Sequence, residues 1–486
     1  MKPYEWKWRY AILFCDCVLV FGVYFCVDMP SSLQIDFQGS KVVECQANQT
    51  VIEGSCCDTC LDLGPTRYNL LHAFLYWTSS ITSLLSGYVI DRIGNRVSAV
   101  LIILLTSLGA ILFAIAGTAG MRGTPSMFPL MIVGRMFLGF GDGPMRIVQD
   151  RVIAHWFAED SVIAVSLVIL TRRAGTMLNF MTTANIAVNF GFDAALWVGA
   201  CICSMGIIAG VVLAVLDYHG TRKLDKESQE EMANRPVKLS DITNLPKTFW
   251  MHVVMIGFHY CTFFAFVSNM SQYIQWRYGY TKVLASYVTG ASYIGPVFFS
   301  PFAALLLKRI DCNGLMAMSV TTLSIPVYLL MAYCPSVPPL ALTISIGIVY
   351  TFNVIIMWQV TINLLPPAVF GTGAGLAVFL MRFSIGLTNL SVGTIVEDKE
   401  RTSKEIHIHA YQDALLLMTA LSIMSVISGI FLNVIDIRRG DGVNRRFMKE
   451  KVRALDTTHL VLDDKLGKHY HTNHVSSALP LEDDEQ

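Results

Sequence analysis

The feature that most constrains this chain is a series of apolar runs, each about 20 residues long, separated by short charged segments. About 20 mostly apolar residues are what an α-helix needs to cross the hydrocarbon core of a bilayer. Twelve such runs occur, at roughly 9–29, 67–90, 97–119, 127–149, 161–185, 194–217, 249–272, 283–307, 315–334, 340–364, 370–393 and 411–435. Only 15% of the residues are charged, against roughly 25% in a soluble domain. The expected fold class is therefore an all-α membrane protein of twelve transmembrane helices. An even number of spans puts both termini on one side. The run behind Met1–Arg9 has full span length and no small-residue cleavage site follows it, so span 1 reads as a retained helix rather than a signal peptide.

Lys and Arg set the orientation. If the N-terminus is inside, the inner segments hold Lys2, Lys7, Arg9, Arg92, Arg96, Arg151, Lys308, Arg309 and the basic residues of 220–247 and 438–453. The outer loops hold Lys41, Arg67, Arg122, Arg277, Lys282, Lys399, Arg401 and Lys404, fewer than half as many. Both termini are expected in the cytosol. The outer loop 30–66 carries Cys45, Cys56, Cys57 and Cys60 beside the glycosylation sequon Asn48-Gln49-Thr50. An oxidising compartment favours disulfides among these four, with three connectivities open. A metal site on Cys57-x-x-Cys60 is the rival, weakened by the lack of histidine in the loop.

The polar, mixed-charge segment 218–248 divides the spans six and six. The expected organisation is a first bundle over 1–217, a cytosolic linker over 218–248, a second bundle over 249–435 and a cytosolic tail over 436–486. Such halves enclose a cavity near the midplane. The formal net charge is zero, which gives no reason to expect a nucleic-acid partner. Nucleotide loops, metal motifs and nucleophile triads are not recognisable, so no cofactor is expected and an enzyme is disfavoured.

Between spans 2 and 3 lies Gly87-Tyr-Val-Ile-Asp91-Arg92-Ile-Gly94-Asn-Arg96. Gly87 would let a neighbouring helix approach, Gly94 would permit a tight reversal, and Asp91 would sit against a helix N-terminus. Arg92 and Arg96 would pair with carboxylates, Asp150 being the nearest choice. A plain positive-inside loop explains the arginines but not the spacing. The motif resembles the signature of the major facilitator superfamily, and Gly134-Arg135-x3-Gly139-x-Gly141 in span 4 is a second resemblance. This resemblance implies two six-helix bundles (the major facilitator fold), alternating access and a central substrate cavity.

A narrower resemblance is to the lysosomal dipeptide-transporter branch of that superfamily. It rests on Phe21-Gly22-x-Tyr24-Phe25-Cys26-x-Asp28-x-Pro30, Tyr68-Asn69-Leu70-Leu71 with Trp77, Arg173-x-Gly175 with Asn179, and Trp358 followed by Pro366 and Gly371-Thr372. It implies a dipeptide substrate, an endomembrane (lysosomal) location and a glycosylated single-pass accessory partner; the plasma membrane is the other location. No clean acidic-dileucine sorting motif is present, and the Asn48 sequon offers the chain a glycan of its own. One departure matters: the branch places a Glu where this chain has Gly143, and the acid here is Asp142, one residue earlier. That shift turns the side chain by about 100° around the helix.

Ionisable groups within spans default to functional hypotheses. Arg173, in mid-span 5, is the candidate anchor for a substrate carboxylate, since guanidinium binds carboxylate bidentately; a structural ion pair competes. Arg382 in span 11 stands equally between substrate binding and structure. Asp142 would take a substrate ammonium or pair with Arg146 at i+4, and Arg146 would pair likewise with Asp150. Arg135 reads as a brace. Asp28 is expected at the outer end as a cap or partner, and His72 and His259 as packing residues. Trp77, Trp358 and Tyr24 complete the substrate-binding set; Tyr76, Tyr293 and Tyr350 are further aromatics near the cavity. The leading function is a secondary carrier for small organic solutes, dipeptides first, by facilitated diffusion because membrane acids are sparse. An organic-anion or sugar-phosphate carrier using Arg173, Arg382 and Arg146 is the second reading. A non-transporting receptor on a transporter fold is the third.

Overall fold

A computed structural model describes residues 7–39, 60–157, 161–222, 245–310, 312–365, 370–399, 404–439 and 443–444. The architecture is all-helical. Helices α1 (Arg9–Val27), α2 (Gly64–Ile93), α3 (Asn95–Gly117), α4 (Met127–Trp156), α5 (Ser161–Phe190) and α6 (Phe192–Thr221) form the first bundle. The second holds α7 (Lys247–Tyr278), α8 (Lys282–Gly290, continued irregularly to Ile310), α9 (Asn313–Thr322 and Ser324–Tyr333), α10 (Pro339–Leu364), α11 (Phe370–Lys399) and α12 (Lys404–Arg439). Helices satisfy every backbone polar group within one segment, which a bilayer interior demands. The twelve expected spans all form helices, most of them longer than the apolar run alone.

Ten of the described helices are long and apolar enough to cross a membrane. The other two long ones, α2 and α4, are the polar pair. In α2 the stretch 78–86 is dense in Ser and Thr, and α4 carries Arg135, Asp142, Arg146, Asp150 and Arg151. Both are tolerated because their polar faces turn inward. Ser79, Ser83, Ser86, Arg135 and Asp142 are buried, while Ile81, Leu84, Leu85, Val133 and Phe140 are exposed.

Glycines set the close approaches within the first bundle. A Cβ on Gly134 would meet the Gly109 carbonyl at 2.8 Å, and one on Gly139 the Leu75 carbonyl at 2.5 Å. Backbones therefore touch where α4 crosses α3 and α2.

Prolines set the breaks. Pro30 ends α1 and starts the short helix Met29–Ser32, followed by Gln34–Gln38. Having no N–H, Pro30 cannot serve the Cys26 carbonyl. Arg135 does so instead, at 3.2 Å, and also reaches the carbonyls of Val27 (2.9 Å) and Leu71 (3.2 Å). The brace expected of Arg135 is thus a clamp of α4 on the broken end of α1. In α8, Pro296 leaves the Ser292 carbonyl without its helical donor. The helix passes through a 3₁₀ turn (Ala291–Tyr293) and a π turn (Gly295–Phe299) before resuming at Ser300–Ile310.

The end of the molecule carrying residues 39 and 60 is here called the loop end, and the opposite end, carrying residues 222 and 245, the linker end. At the loop end the bundles are joined. Tyr411 of α12 accepts from Gln34 (3.0 Å), and its one hydroxyl proton is shared between the side-chain oxygens of Gln272 (2.8 Å) and Gln38 (3.1 Å). Asp36 forms an ion pair with Lys282 of α8. Asn69 donates to Asn269 at 2.9 Å, and Tyr68 to the Ser268 carbonyl at 2.5 Å.

The loop between α2 and α3 is at the linker end. Gly94 lies at φ +86° and serves as C-cap of α2 and N-cap of α3, the tight reversal its position predicts. Two expectations for this motif need correction. Arg96 pairs with Asp217 of α6 at 2.5 Å, not with Asp150. Asp217 is the better partner because Trp156 also donates to it, at 2.7 Å, in a buried setting. Gly87 makes no close packing contact among the described residues: none of their atoms lies within 4 Å of where its Cβ would be. Arg92 lies over the Tyr88 ring at 4.6 Å. The Asp91 side chain, Asn48, Cys45, Cys56 and Cys57 are outside the described residues. Cys60 is described, its sulfur 3.6 Å from the Ile35 carbonyl.

Candidate functional site

Midway between the two ends, α1, α2, α4 and α5 of the first bundle face α7, α8, α10 and α11 of the second. Here the cations singled out from the sequence meet very different partners.

Arg382 of α11 forms an ion pair with Asp142 of α4, and the same nitrogen bonds the Ser79 hydroxyl of α2. Ser79 in turn donates to Asp142 at 2.9 Å. The pair is occluded, the two side chains being 10% and 4% exposed. Asp142 therefore does not pair with Arg146 along its own helix. An exposed i,i+4 pair is worth only about 0.2–0.5 kcal/mol, and a buried partner across the bundles outweighs it. Arg146 instead stands 4.4 Å over the Trp358 ring of α10 and 4.0 Å from Asp150. The second expected pairing, Arg146 with Asp150, is present, in a loose and half-exposed form.

Arg173 of α5 is different. It donates to the Tyr350 hydroxyl of α10 at 2.7 Å and lies over the rings of Tyr350 (5.2 Å) and Tyr293 (6.0 Å). Among the described residues no carboxylate lies within ion-pair distance of it. Its neighbour Arg172 points elsewhere and bonds Gln149 of α4.

Aromatic rings build the wall around Arg173. Tyr350 stacks on Phe263 at 3.7 Å and meets Tyr260 edge-on at 5.6 Å. Tyr260 accepts from the Trp358 indole at 3.1 Å. Tyr293 stacks on Phe180 at 6.1 Å and donates to Asp28 at 3.1 Å. Asp28, expected as a cap or a partner, is both: it is the C-cap residue of α1 and the partner of Tyr293, and it is buried. Tyr24 and Trp77 are half-buried: Tyr24 gives its carbonyl to Thr176 (3.3 Å) and Trp77 donates to the Phe383 carbonyl of α11 (3.3 Å). His72 and His259 pack as expected, His72 edge-on to Tyr68 and His259 stacked on Tyr350.

The position where the dipeptide branch carries its acid is closed here. A Cβ on Gly143 would lie 2.6 Å from the Ser79 carbonyl and 2.7 Å from the hydroxyl oxygens of Thr82 and Ser83. This face of α4 is pressed against α2, and a glutamate has no room on it. Sequence reasoning missed Ser79, Asp217 and the Asp36–Lys282 pair. Their partners stand far along the chain, so spacing carries no signal for them.

The arrangement can hold an anion at Arg173 between aromatic walls, and can tie the bundles together through Asp142 and Arg382. Comparison with known proteins agrees with the fold. Curated relatives include proteins named lysosomal dipeptide transporter MFSD1. The one from Danio rerio is 22% identical over 92% of this chain and 91% of its own length. The one from Homo sapiens is 21% identical over 90% and 88%. Among solved structures, a D-xylose-proton symporter is similar with a TM-score of 0.58 at 15% identity, covering 87% of this chain and 97% of its own. The nucleoside transporter NupG gives 0.62 at 13% identity, with 87% and 99% covered. The family model described as Major Facilitator Superfamily matches residues 13–388. With this match over most of its length, and twelve helices in two bundles, the chain belongs to the major facilitator superfamily.

Proposed function

We propose that the chain is a carrier for dipeptides, moved by alternating access and facilitated diffusion, with Arg173 as the anchor for the substrate's terminal carboxylate. The observation that carries this is the contrast between the two mid-membrane cations. Arg382 has its carboxylate, Asp142. Among the described residues Arg173 touches a neutral hydroxyl and two ring faces, and no carboxylate, Asp28 included, comes within ion-pair distance. An unanswered guanidinium in such surroundings is costly, and a bidentate carboxylate from a substrate would answer it. Full-length similarity to proteins named as lysosomal dipeptide transporters supports the substrate class and a lysosomal membrane.

The organic-anion reading is weaker. It needs a cluster of free cations, whereas Arg382 is neutralised and Arg146 is shared between Trp358 and Asp150. The lysine and arginine distribution supports cytosolic termini, with the loop end facing the lumen. Four cysteines within 16 residues, on the side poor in Lys and Arg, support cross-linking of the luminal loop.

The test is uptake into proteoliposomes. Arg173→Ala should lose a dipeptide while the protein still folds. Arg173→Lys keeps the charge but loses the planar fork, and transport should still fall at least about tenfold. Transport of a dipeptide and its C-terminal amide at equal, wild-type rates by Arg173→Ala would end the anchor reading.

A further inference from the structure

A dipeptide carries an ammonium group as well as a carboxylate, and a site that binds only one end leaves the other uncompensated in a low-dielectric surrounding. Few acids are placed to receive the ammonium. Asp142 is consumed by Arg382 and Ser79. Asp16 is buried near Gln149 and Arg172, toward the linker end of α1, away from the aromatic wall. Asp28 remains.

Its surroundings are unusual. Asp28 is 2% exposed, and its Oδ2 accepts one bond, from the neutral phenol of Tyr293. Its Oδ1 is buried and has no hydrogen-bond partner among the described residues. Thr176 of α5 stands beside it, but that hydroxyl bonds the Tyr24 carbonyl. The charges of Arg135 and Arg173 reach it, yet Arg135 spends its donors on the carbonyls of α1 and α2. Tyr293 touches both groups, Asp28 through its hydroxyl and Arg173 through its ring face.

Both partners also sit at breaks in their helices. Asp28 caps α1 just before Pro30, and Tyr293 closes the 3₁₀ turn that leads into the π turn of α8. Half-helix ends at a repeat interface are where carriers of this architecture place binding groups.

Building on the carboxylate-anchor reading, we propose that Asp28 receives the substrate's ammonium group, which displaces the Tyr293 hydroxyl and so unfastens α8 from α1. Substrate binding and release of this bond between α1 and α8 then become one event. Tyr293 is a positioning residue: it holds Asp28 in the empty carrier and competes with the ligand.

The experiment uses the full chain in proteoliposomes, with alanyl-alanine, its N-acetyl derivative and its C-terminal amide as probes. Wild type should disfavour the N-acetyl form at least about tenfold. In Asp28→Asn that discrimination should fall below about twofold, through loss of the free dipeptide. Tyr293→Phe removes the competing hydroxyl; it should lower KM for alanyl-alanine about threefold or more and leave the N-acetyl form unmoved. A purely structural Asp28–Tyr293 contact predicts instead that each variant shifts both substrates in parallel. That result, or wild-type discrimination retained by Asp28→Asn, overturns the proposal. So does an Asp28 that only carries a proton, recognisable as a pH effect equal for both substrates. Where Asp28→Asn fails to fold, the Tyr293→Phe ratio decides alone. Failure of the carboxylate anchor is read separately, from the amide.

Discussion

The Asp142–Arg382 pair allows a prediction whose size follows from its geometry. Removing one partner of a buried ion pair costs about 3–5 kcal/mol, because a charge is left without an answer, whereas replacing both is often close to neutral. Exposures of 10% and 4% leave little room for solvent screening. The guanidinium Nε and the Asp142 Oδ1 have no partners, so the pair is incompletely satisfied and the lower end of that range applies. Asp142→Asn and Arg382→Met should therefore each destabilise the purified protein by about 3 kcal/mol, roughly a hundredfold in the folded ratio. The double variant should recover most of it, costing about 1 kcal/mol instead of the additive total of about 6, a coupling energy of about 5 kcal/mol. Denaturant unfolding of the four proteins in detergent measures this. Costs that add within about 0.5 kcal/mol would refute the reasoning and would mean that the two groups are answered by water rather than by each other.

Three further outcomes are expected. Glycosidase treatment should shift the mobility of the protein made in a glycosylating cell, and Asn48→Gln should abolish the shift; an unmodified Asn48 would contradict the proposed orientation. Asp91→Ala should slow turnover several-fold at nearly constant KM while the protein still inserts, and unchanged turnover would remove this residue from the gate. Gly143→Glu should fail to fold or lose thermal stability, because its Cβ would press on the Ser79 carbonyl of α2; a stable Gly143→Glu that transports would show that α2 and α4 separate there.

The spans were legible because hydrocarbon imposes one length on every crossing, and a run of apolar residues is a local signal. The break at Pro30 was visible as a residue, but its consequence was not. Nothing near it in the chain indicates that Arg135 supplies the Cys26 carbonyl that Pro30 abandons. The same limit explains the partner choices. Spacing proposed Arg146 for Asp142 and Asp150 for Arg96, whereas the actual partners, Arg382 and Asp217, stand on other helices. Helical spacing sees neighbours within one helix, while the stronger contacts form between helices. Arg173 was legible for the converse reason: an arginine without an acid a turn away is conspicuous in a span, and the surrounding helices supply hydroxyl and rings instead.

The closure at the loop end has a consequence for the solution around it. Most of its groups are uncharged: three glutamine amides and a phenol meet at Tyr411, and two asparagines meet between α2 and α7. Among the described residues the ion pair across this end, Asp36 with Lys282, is only 6% and 15% exposed. Mobile ions screen exposed charges well and occluded ones poorly. Raising the salt concentration on that face will therefore do little to loosen the closure. A neutral amide that leaves one partner can accept a water in its place at little cost. Opening this end is thus governed by hydration of amides, which any aqueous compartment provides alike, whatever its ionic strength.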